Sequence, residues 1–434
     1  MSDLGIFGRE PGETGDVDVD ELKAALAARP DPDLPTVPAK PEPTPEQRAR
    51  SARRRHRTWL VFAIVVLLVI VAGLVAGFMV WKSRTEVIPD YSGSGDTEVV
   101  VRIQGGDGIS DIAQTLVHAG VVASAEAFEQ QAATDGDVQA LKPGYYKVRQ
   151  NASVQATADA LVAKENRVGH LRLIPGRQLS DVTAVAAVGN QPATTVPGYI
   201  SDITAAACVP LNGQQNCFTA DELWQVAQTA DPATLGVVEW AADAVRASPD
   251  PRKRLEGTIL PGDFDIPPGS TPEQALKAVV SASAAMWNGT DIIADAAQRG
   301  VTPYQAAIVA SIVERESITA DMPKASRVIY NRLAAGMKLE MDSTVNYALD
   351  RASIAVSAAD LANPSPWNTY VAPALPPTPI SSPGPAAIAA ALDPAAGSWL
   401  FFGKVDNTGA SCFSVTTEQH DACIAQARAN GVFG

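Results

Sequence analysis

The feature that most constrains this chain is a run of 23 residues, Trp59 to Trp81, without a single charged side chain. A helix of that length rises far enough to cross a hydrocarbon core about 30 Å thick. A tryptophan at each end suits the two membrane interfaces. Arg48, Arg50, Arg53, Arg54, Arg55 and Arg57 crowd the upstream side, whereas only Lys82 and Arg84 follow before acidic residues appear. The asymmetry predicts a single span, with the N-terminus in the cytoplasm and the rest of the chain outside it. A cleaved signal peptide has an apolar region of about 7 to 15 residues near the N-terminus, so this run is too long and too late to be one. Residues 1–47 are acidic and proline-rich, with few apolar side chains to bury, and are expected to be disordered apart from a short helix at Val19 to Ala28.

The chain beyond the span should therefore face an oxidising compartment. Four cysteines fall there as two local pairs, Cys208 with Cys217 and Cys412 with Cys423, and two short-loop disulfides are the expected connectivity. Neither pair has the close Cys spacing and neighbouring His of a zinc site, so no metal is expected, nor a cofactor. A net charge of −14 argues against nucleic acid as a partner. It says little about an uncharged one.

The length leaves room for two or three domains. Residues 82–95, with Pro89, Gly93 and Gly95, read as a tether. A strand at Glu98–Ile103, a glycine turn, helices at Ile109–Leu116, Ala125–Ala132 and Ser153–Ala163, and a turn into a strand over Leu141–Val148 make a first unit. Next come a strand at Gly169–Ile174 and a helix at Leu179–Ala187. Residues 188–254 read as an irregular elaboration around the first cysteine pair, with a helix at Val237–Ala247. From Leu255 the pattern is regular again. Helices are expected at Pro272–Trp287, Thr302–Glu316 and Ala325–Ala335, followed by a polar loop with Asp342, Ser343 and Thr344 and a proline-punctuated stretch over 363–385. A helix at Ala386–Leu392, strands at Trp399–Lys404 and Cys412–Val415 and a last helix at Gln419–Ala429 close the chain. Helices around a minor sheet define an α+β fold.

Within the helix ending at Glu316, the segment Ala310-Ser-Ile-Val-Glu-Arg-Glu-Ser317 carries two carboxylates on different faces. Glu316 falls four residues after Ile312, three after Val313 and eight after Ile308, so it continues the apolar stripe. Glu314 falls over Ala310 and Ser311, roughly 160° away at about 100° per residue, on the side expected to meet solvent. Desolvation disfavours a charged carboxylate, so the position of Glu316 would raise its pKa toward the range of a general acid. The plainer reading is a charged helix end with both glutamates solvated. The periodicity alone leaves both open.

Several motifs in one order then carry a resemblance: EGTILP at 256–261, ASIVERES at 310–317, RVIYNRLAAGMKLEMDSTVNYAL at 327–349, WNTYVAPALPPTPISSPG at 367–384, and AAIAAALDP followed by LFFGK up to 404. Over roughly residues 96–430 the chain resembles the YceG-like family of endolytic murein transglycosylases. The resemblance implies a membrane-anchored enzyme that cuts inside peptidoglycan strands, at the β-1,4 bond between N-acetylmuramic acid and N-acetylglucosamine, and leaves a 1,6-anhydro end. It also implies that one carboxylate suffices, since the muramic C6 hydroxyl is the nucleophile, whereas ordinary glycosidases use a pair. The family's catalytic position falls on Glu316. Ser317 is expected to support it by a hydrogen bond, as in other lytic transglycosylases with a Glu-Ser order, and Glu314 is the secondary candidate.

Asp342, Ser343 and Thr344 lie where the family usually has D-P-T, with Ser343 in place of the proline. Asn368, Thr369 and Tyr370 match its N-T-Y. These six are the substrate-binding candidates, and loop scaffolding is the competing role for the latter three. The EGTILP element departs from the family after Pro261, so no catalytic work is assigned to it. Residues 96 to about 120 also resemble the start of a LysM-like glycan-binding module. The implied organisation is a disordered cytoplasmic tail (1–58), a transmembrane helix (59–81), a linker (82–95), a LysM-like subdomain (96–166), a connecting region (167–254) and a catalytic domain (255–434). Peptidoglycan strands are the implied partner, together with peptidoglycan synthases of the elongation or division machinery, at a bacterial inner membrane. The alternatives are a non-catalytic wall-binding scaffold and a muramidase-type hydrolase, with Asp342 as the second carboxylate.

Overall fold

A computed structural model describes residues 45–85, 88–184, 194–352 and 356–432. The chain divides into two compact units, Met1–Val87 and Ile88–Gly434. The helix expected at Val19 to Ala28 lies outside the described residues. In the first unit, helix α1 spans Pro45–Thr85. Its stretch Trp59–Met79, 21 residues, is long and apolar enough to cross a membrane. Apolar side chains such as Leu67, Leu68 and Val69 are exposed along it, as on a helix whose surroundings are themselves apolar. Residues 45–58, expected within a disordered tail, are helical instead. No Gly or Pro interrupts 46–72, so the helix propagates upstream through Ala, Arg and Gln, all good helix formers.

The second unit begins with a small α+β assembly. Strand β1 (Glu98–Ile103) is followed by helices α2 (Ile109–His118) and α3 (Ala125–Ala132), strand β2 (Gly144–Arg149), helix α4 (Val154–Val162) and strand β3 (Arg167–Val168). The strands form one antiparallel sheet in the order β1-β2-β3, with Val101 opposite Tyr146. Ser124 and Ser153 cap α3 and α4 by accepting the N–H of Ala127 and Ala156. Val101, Ile103, Ile112, Leu116, Phe128, Val148 and Leu161 close a core of their own. The tether expected over 82–95 is docked on this core from Asp90 onward. Asp90 Oδ1 accepts the Val154 N–H at 3.0 Å, and the Gly93 carbonyl accepts that of Ser153 at 2.9 Å.

The next stretch departs most from the sequence reading. Strand β4 (His170–Leu173) is as expected, but the residues read as a helix from Leu179 instead enter strand β5 (Val182–Ala184), which pairs with β6 (Thr194–Val196). Two contacts hold the backbone open there. The carbonyls of Gln178 and Leu179 accept the N–H groups of Tyr199 and Ile200, and β-branched Val182 and Thr183 suit a ladder. The rest of the expected helix, residues 185–187, lies outside the described residues. The region read as irregular holds more regular structure than expected, with α5 (Tyr199–Ala207), hairpin strands β7 (Val209–Leu211) and β8 (Gln214–Asn216) and α6 (Ala220–Thr229) ahead of the expected helix, α7 (Glu239–Arg246). Alanine-rich sequence hid the few anchors that matter. Ile200, Ile203, Leu223, Ala227 and Val245 bury into the main core.

Both expected disulfides are present, Cys208–Cys217 across the β7–β8 hairpin and Cys412–Cys423 near the C-terminus. The hairpin tip reaches the first assembly. Asn212 accepts the Glu98 N–H at 2.8 Å, and its own N–H and amide return bonds to the Glu98 carboxylate and carbonyl.

Strand β9 (Gly262–Asp265) pairs antiparallel with β4, and then helices build the body: α8 (Pro272–Asn288), α9 (Ile292–Gln298), α10 (Pro303–Glu316), α11 (Met322–Ala334) and α12 (Asp342–Ala348). Thr271 and Thr302 cap α8 and α10 in reciprocal boxes with Gln274 and Gln305. The polar loop expected at Asp342 is in fact the first turn of α12. Strand β10 (Arg351–Ala352) joins β5 in parallel, α13 (Pro385–Leu392) packs on α10 and α11, and a hairpin of β11 (Phe401–Lys404) and β12 (Ser411–Ser414) precedes α14 (Thr417–Ala429). Helix α10 is the axis of this body. Every residue from Ala306 to Val313 is buried, so it has no solvent side for most of its length.

Candidate active site

Helix α10 ends where its core ends. Ser317 closes it in an extended conformation, so the last turn, with Glu314 and Glu316, emerges from the packed body. Glu316 is half-buried. Its Oε1 accepts the backbone N–H of Ser343 at 3.1 Å, from the first turn of α12. Burial raises the pKa of Glu316 above the ordinary carboxylate value; the hydrogen bond from the Ser343 backbone and the charge of Lys404 oppose the rise, and the charge of Asp342 adds to it. A carboxyl so placed holds its proton more tightly than a surface glutamate. It retains an edge from which to deliver it.

Glu314 does not meet solvent as the periodicity predicts. It is half-buried, its Oε2 accepts the Gly384 N–H at 2.9 Å, and burial raises its pKa as well. The cause is the loop before α13, which folds back over that face of α10. Ser311 Oγ accepts the Ile380 N–H at 3.0 Å, Ser381 Oγ donates to the Ser311 carbonyl at 3.0 Å, and Ser382 Oγ donates to the Ile259 carbonyl at 2.6 Å. A buried loop must satisfy its backbone in this way. Gly384 approaches so closely that an added Cβ would stand 3.2 Å from Glu314 Oε2 and from Pro175. Ser317 Oγ has no hydrogen-bond partner and does not support Glu316.

The other expected residues separate into two groups. Asp342 is exposed and accepts the phenol of Tyr370 at 2.6 Å, beside Glu316. Tyr370 is half-buried. Burial, the bond to Asp342 and the charges of Asp342, Glu316 and Glu340 all raise its pKa, so it stays a neutral donor. Thr344, Asn368 and Thr369 face inward. Thr344 Oγ1 donates to the Met341 carbonyl at 2.6 Å and meets Thr369 Oγ1 at 2.9 Å, and Thr369 Oγ1 accepts the Met341 N–H at 3.0 Å. The Asn368 amide, 2% exposed, is spent on the carbonyls of Leu361 and Asn363 at 3.0 and 2.8 Å, and its Oδ1 accepts the Tyr370 N–H. These three residues build the wall that carries Ser343 and Tyr370. They do not line the open edge.

Residues outside the expected set complete the surroundings. Arg332, 7% exposed, donates to the carbonyls of Lys338, Leu339 and Leu400 and to the Glu340 carboxylate at 3.1 Å. It thereby shapes the turn into α12, where Glu340 adopts a φ of 54°. Glu256 is buried in the turn before β9, and burial raises its pKa to about 7. Its signal was present in the sequence: a carboxylate inside the apolar run Leu255-Glu-Gly-Thr-Ile-Leu260, the same pattern that singled out Glu316. Among the described residues there is no cluster of His, Cys, Asp and Glu that could hold a metal ion.

An α+β body with a half-buried carboxyl of raised proton affinity at the end of its central helix can give a proton to a bound ligand and take one back. A model of the YceG-like family matches residues 101–426, and the chain belongs to that family. An endolytic murein transglycosylase of Bacillus subtilis (strain 168) is 31% identical over 170 residues, which cover 38% of this chain and 46% of the relative. One from Streptococcus pneumoniae (strain D39) is 24% identical over 382 residues, 85% of this chain and 65% of the relative. The matches thus span from about half to just under two thirds of these relatives' own lengths. A crystal structure of a YceG-like protein from Listeria monocytogenes is 23% identical and covers 75% of this chain and 98% of its own, with a TM-score of 0.49.

Proposed function

We propose that this protein is an endolytic lytic transglycosylase of peptidoglycan, with Glu316 as its acid and base. The observation that carries the reading is the carboxyl of Glu316, its pKa raised by burial, half-buried at the end of α10 and held by the Ser343 N–H. The curated relatives' name supplies the substrate class.

In this reaction Glu316 protonates the glycosidic oxygen as its bond to the muramic C1 breaks. The C6 hydroxyl of the same muramic residue closes on C1, and its proton passes to the Glu316 carboxylate. One bond forms, one breaks, no water is consumed, and the acid is regenerated. Holding the sugar so that C6–OH faces C1 supplies much of the acceleration through effective molarity. The proton transfer contributes about 10²- to 10⁴-fold. Asp342 and Tyr370 are the residues we assign to substrate hydroxyl or acetamido groups at the open edge.

In the same reading, α1 is a single-pass anchor with the N-terminus in the cytoplasm and the enzyme outside, residues 96–166 are a LysM-like module, 167–254 connect it to a catalytic domain at 255–434, and peptidoglycan synthases are partners. Supporting it are the arginine-rich flank of the span and the disulfides beyond it.

The deciding experiment is mass spectrometry of glycan fragments released from purified peptidoglycan. Anhydromuramoyl ends are expected from the wild type and none from Glu316→Gln. Reducing ends would instead make the protein a hydrolase with Asp342 as its second carboxylate, and binding without cleavage would make it a scaffold.

A further inference from the structure

Beneath the site lies a carboxyl that the reaction does not use. Glu256 is 3% exposed, and its Oε2 accepts the N–H of Leu179 at 3.2 Å and the phenol of Tyr347 at 3.3 Å. Tyr347, 1% exposed, sits in the last turn of α12. The first turn of the same helix presents the Ser343 N–H to Glu316. Lys253 completes the cluster. Its Nζ lies 4.2 Å from the Tyr347 ring centroid and donates to the Tyr347 carbonyl at 3.1 Å and to Asp350.

Helix α12 has seven residues, too few to hold itself. It is pinned from outside at both ends, by Thr369 on Thr344 and by Glu256 on Tyr347. The other bond of Glu256 reaches Leu179, three residues beyond Gly176, which packs against Glu314 and donates its N–H to the Ser382 carbonyl. One carboxyl therefore ties together the segments on both sides of the end of α10.

We propose that Glu256 is a positioning residue for Glu316: by gripping Tyr347 it fixes α12, and with it the distance between the Ser343 N–H and the Glu316 carboxylate. The inference rests on Glu316 being the acid. A hydrogen bond to the charged form of a carboxylate lowers its pKa, so that distance sets the pH at which Glu316 gives up its proton. Asp342, Lys404 and Tyr370 also face Glu316, and Lys253, Asp350, Tyr199, Tyr304 and Tyr347 face Glu256. Tyr347→Phe changes the grip while leaving the formal charge of all of them intact.

The test is the pH profile of kcat/KM for the full-length protein on uncross-linked glycan strands. The alkaline limb reports deprotonation of the acid. Loosening α12 weakens a bond that favours the charged form, so Tyr347→Phe and Glu256→Ala should move that limb to higher pH by about half a unit. Turnover should fall roughly three- to tenfold as the acid loses its alignment. Glu256→Gln keeps an oxygen for both donors and should stay on the wild-type limb. A Tyr347→Phe profile that superimposes on the wild type, with only a lower Tm, would overturn the proposal and leave Glu256 a packing residue; a shift in Glu256→Gln as large as in Glu256→Ala would also overturn it. If Glu256→Ala does not fold, Tyr347→Phe, which removes one oxygen, decides alone. Failure of the parent reading is seen separately, as activity retained by Glu316→Gln.

Discussion

The end of α10 and the turn around Glu256 hold the same functional group in opposite settings. Burial raises the pKa of both carboxyls. Glu256 is sealed beneath Tyr347 and the Leu179 backbone, and nothing the size of a substrate reaches it. Glu316 is half-buried, beside the exposed Asp342, and takes its backbone donor from a neighbouring helix. Burial tunes a carboxyl in either place. Access is what makes one of them usable as an acid and leaves the other to hold the structure.

The comparison breaks most visibly at Glu316. Glu316→Gln should abolish anhydro-end formation, a loss of about 10³-fold or more, while circular dichroism and Tm stay near the wild type. Robust turnover by that variant, with loss in Glu314→Gln instead, would move the acid to the first glutamate.

The sealed partner should show itself in stability. A carboxyl whose pKa rises from 4.5 unfolded to about 7 folded binds its proton more tightly in the native state. Its contribution is complete below pH 4.5 and is lost as pH rises toward 7, after which it is flat; the loss is on the order of 3 kcal/mol. Glu256→Gln cannot titrate, so urea titrations should show the wild type losing stability relative to this variant across that window. Parallel pH curves would mean that folding leaves the proton affinity of Glu256 unchanged over this window.

A smaller effect is expected where the two settings share a wall. Ser311→Ala leaves the Ile380 N–H without its acceptor, at a cost of about 1–3 kcal/mol, read as a shift in the denaturation midpoint. Turnover of the folded protein should change little, because the open edge is built from α12 and not from this loop. Smallest of all, Glu314→Gln keeps an oxygen for the Gly384 N–H and should alter turnover by less than about threefold. A larger loss would show that the covered face of α10 takes part in the chemistry.

Much of this was legible along the chain. Strand β1 and helices α3, α8 and α10 fall within a residue or two of the expected bounds, because capping residues such as Thr271 and Thr302 and regular apolar spacing are local signals. The apolar run of α1 and the two cysteine pairs were equally plain. The helix expected from Leu179 failed because its backbone answers to Tyr199 and Ile200, partners 21 residues away. Asn368 and Thr369 matched a motif, yet the motif could not say that they point inward to hold the Thr344 corner.

The glutamates mark the boundary. Periodicity placed Glu314 and Glu316 on different faces of one helix, and that is a property of the helix alone. Which face meets water is decided by what packs there: the 378–384 loop covers Glu314, whereas α12 brings Glu316 only a single N–H and leaves it an open side. Sequence spacing sets the direction of a side chain. The dielectric and the donors it meets come from segments distant in the chain, so proton affinity and access at this site belong to the tertiary structure.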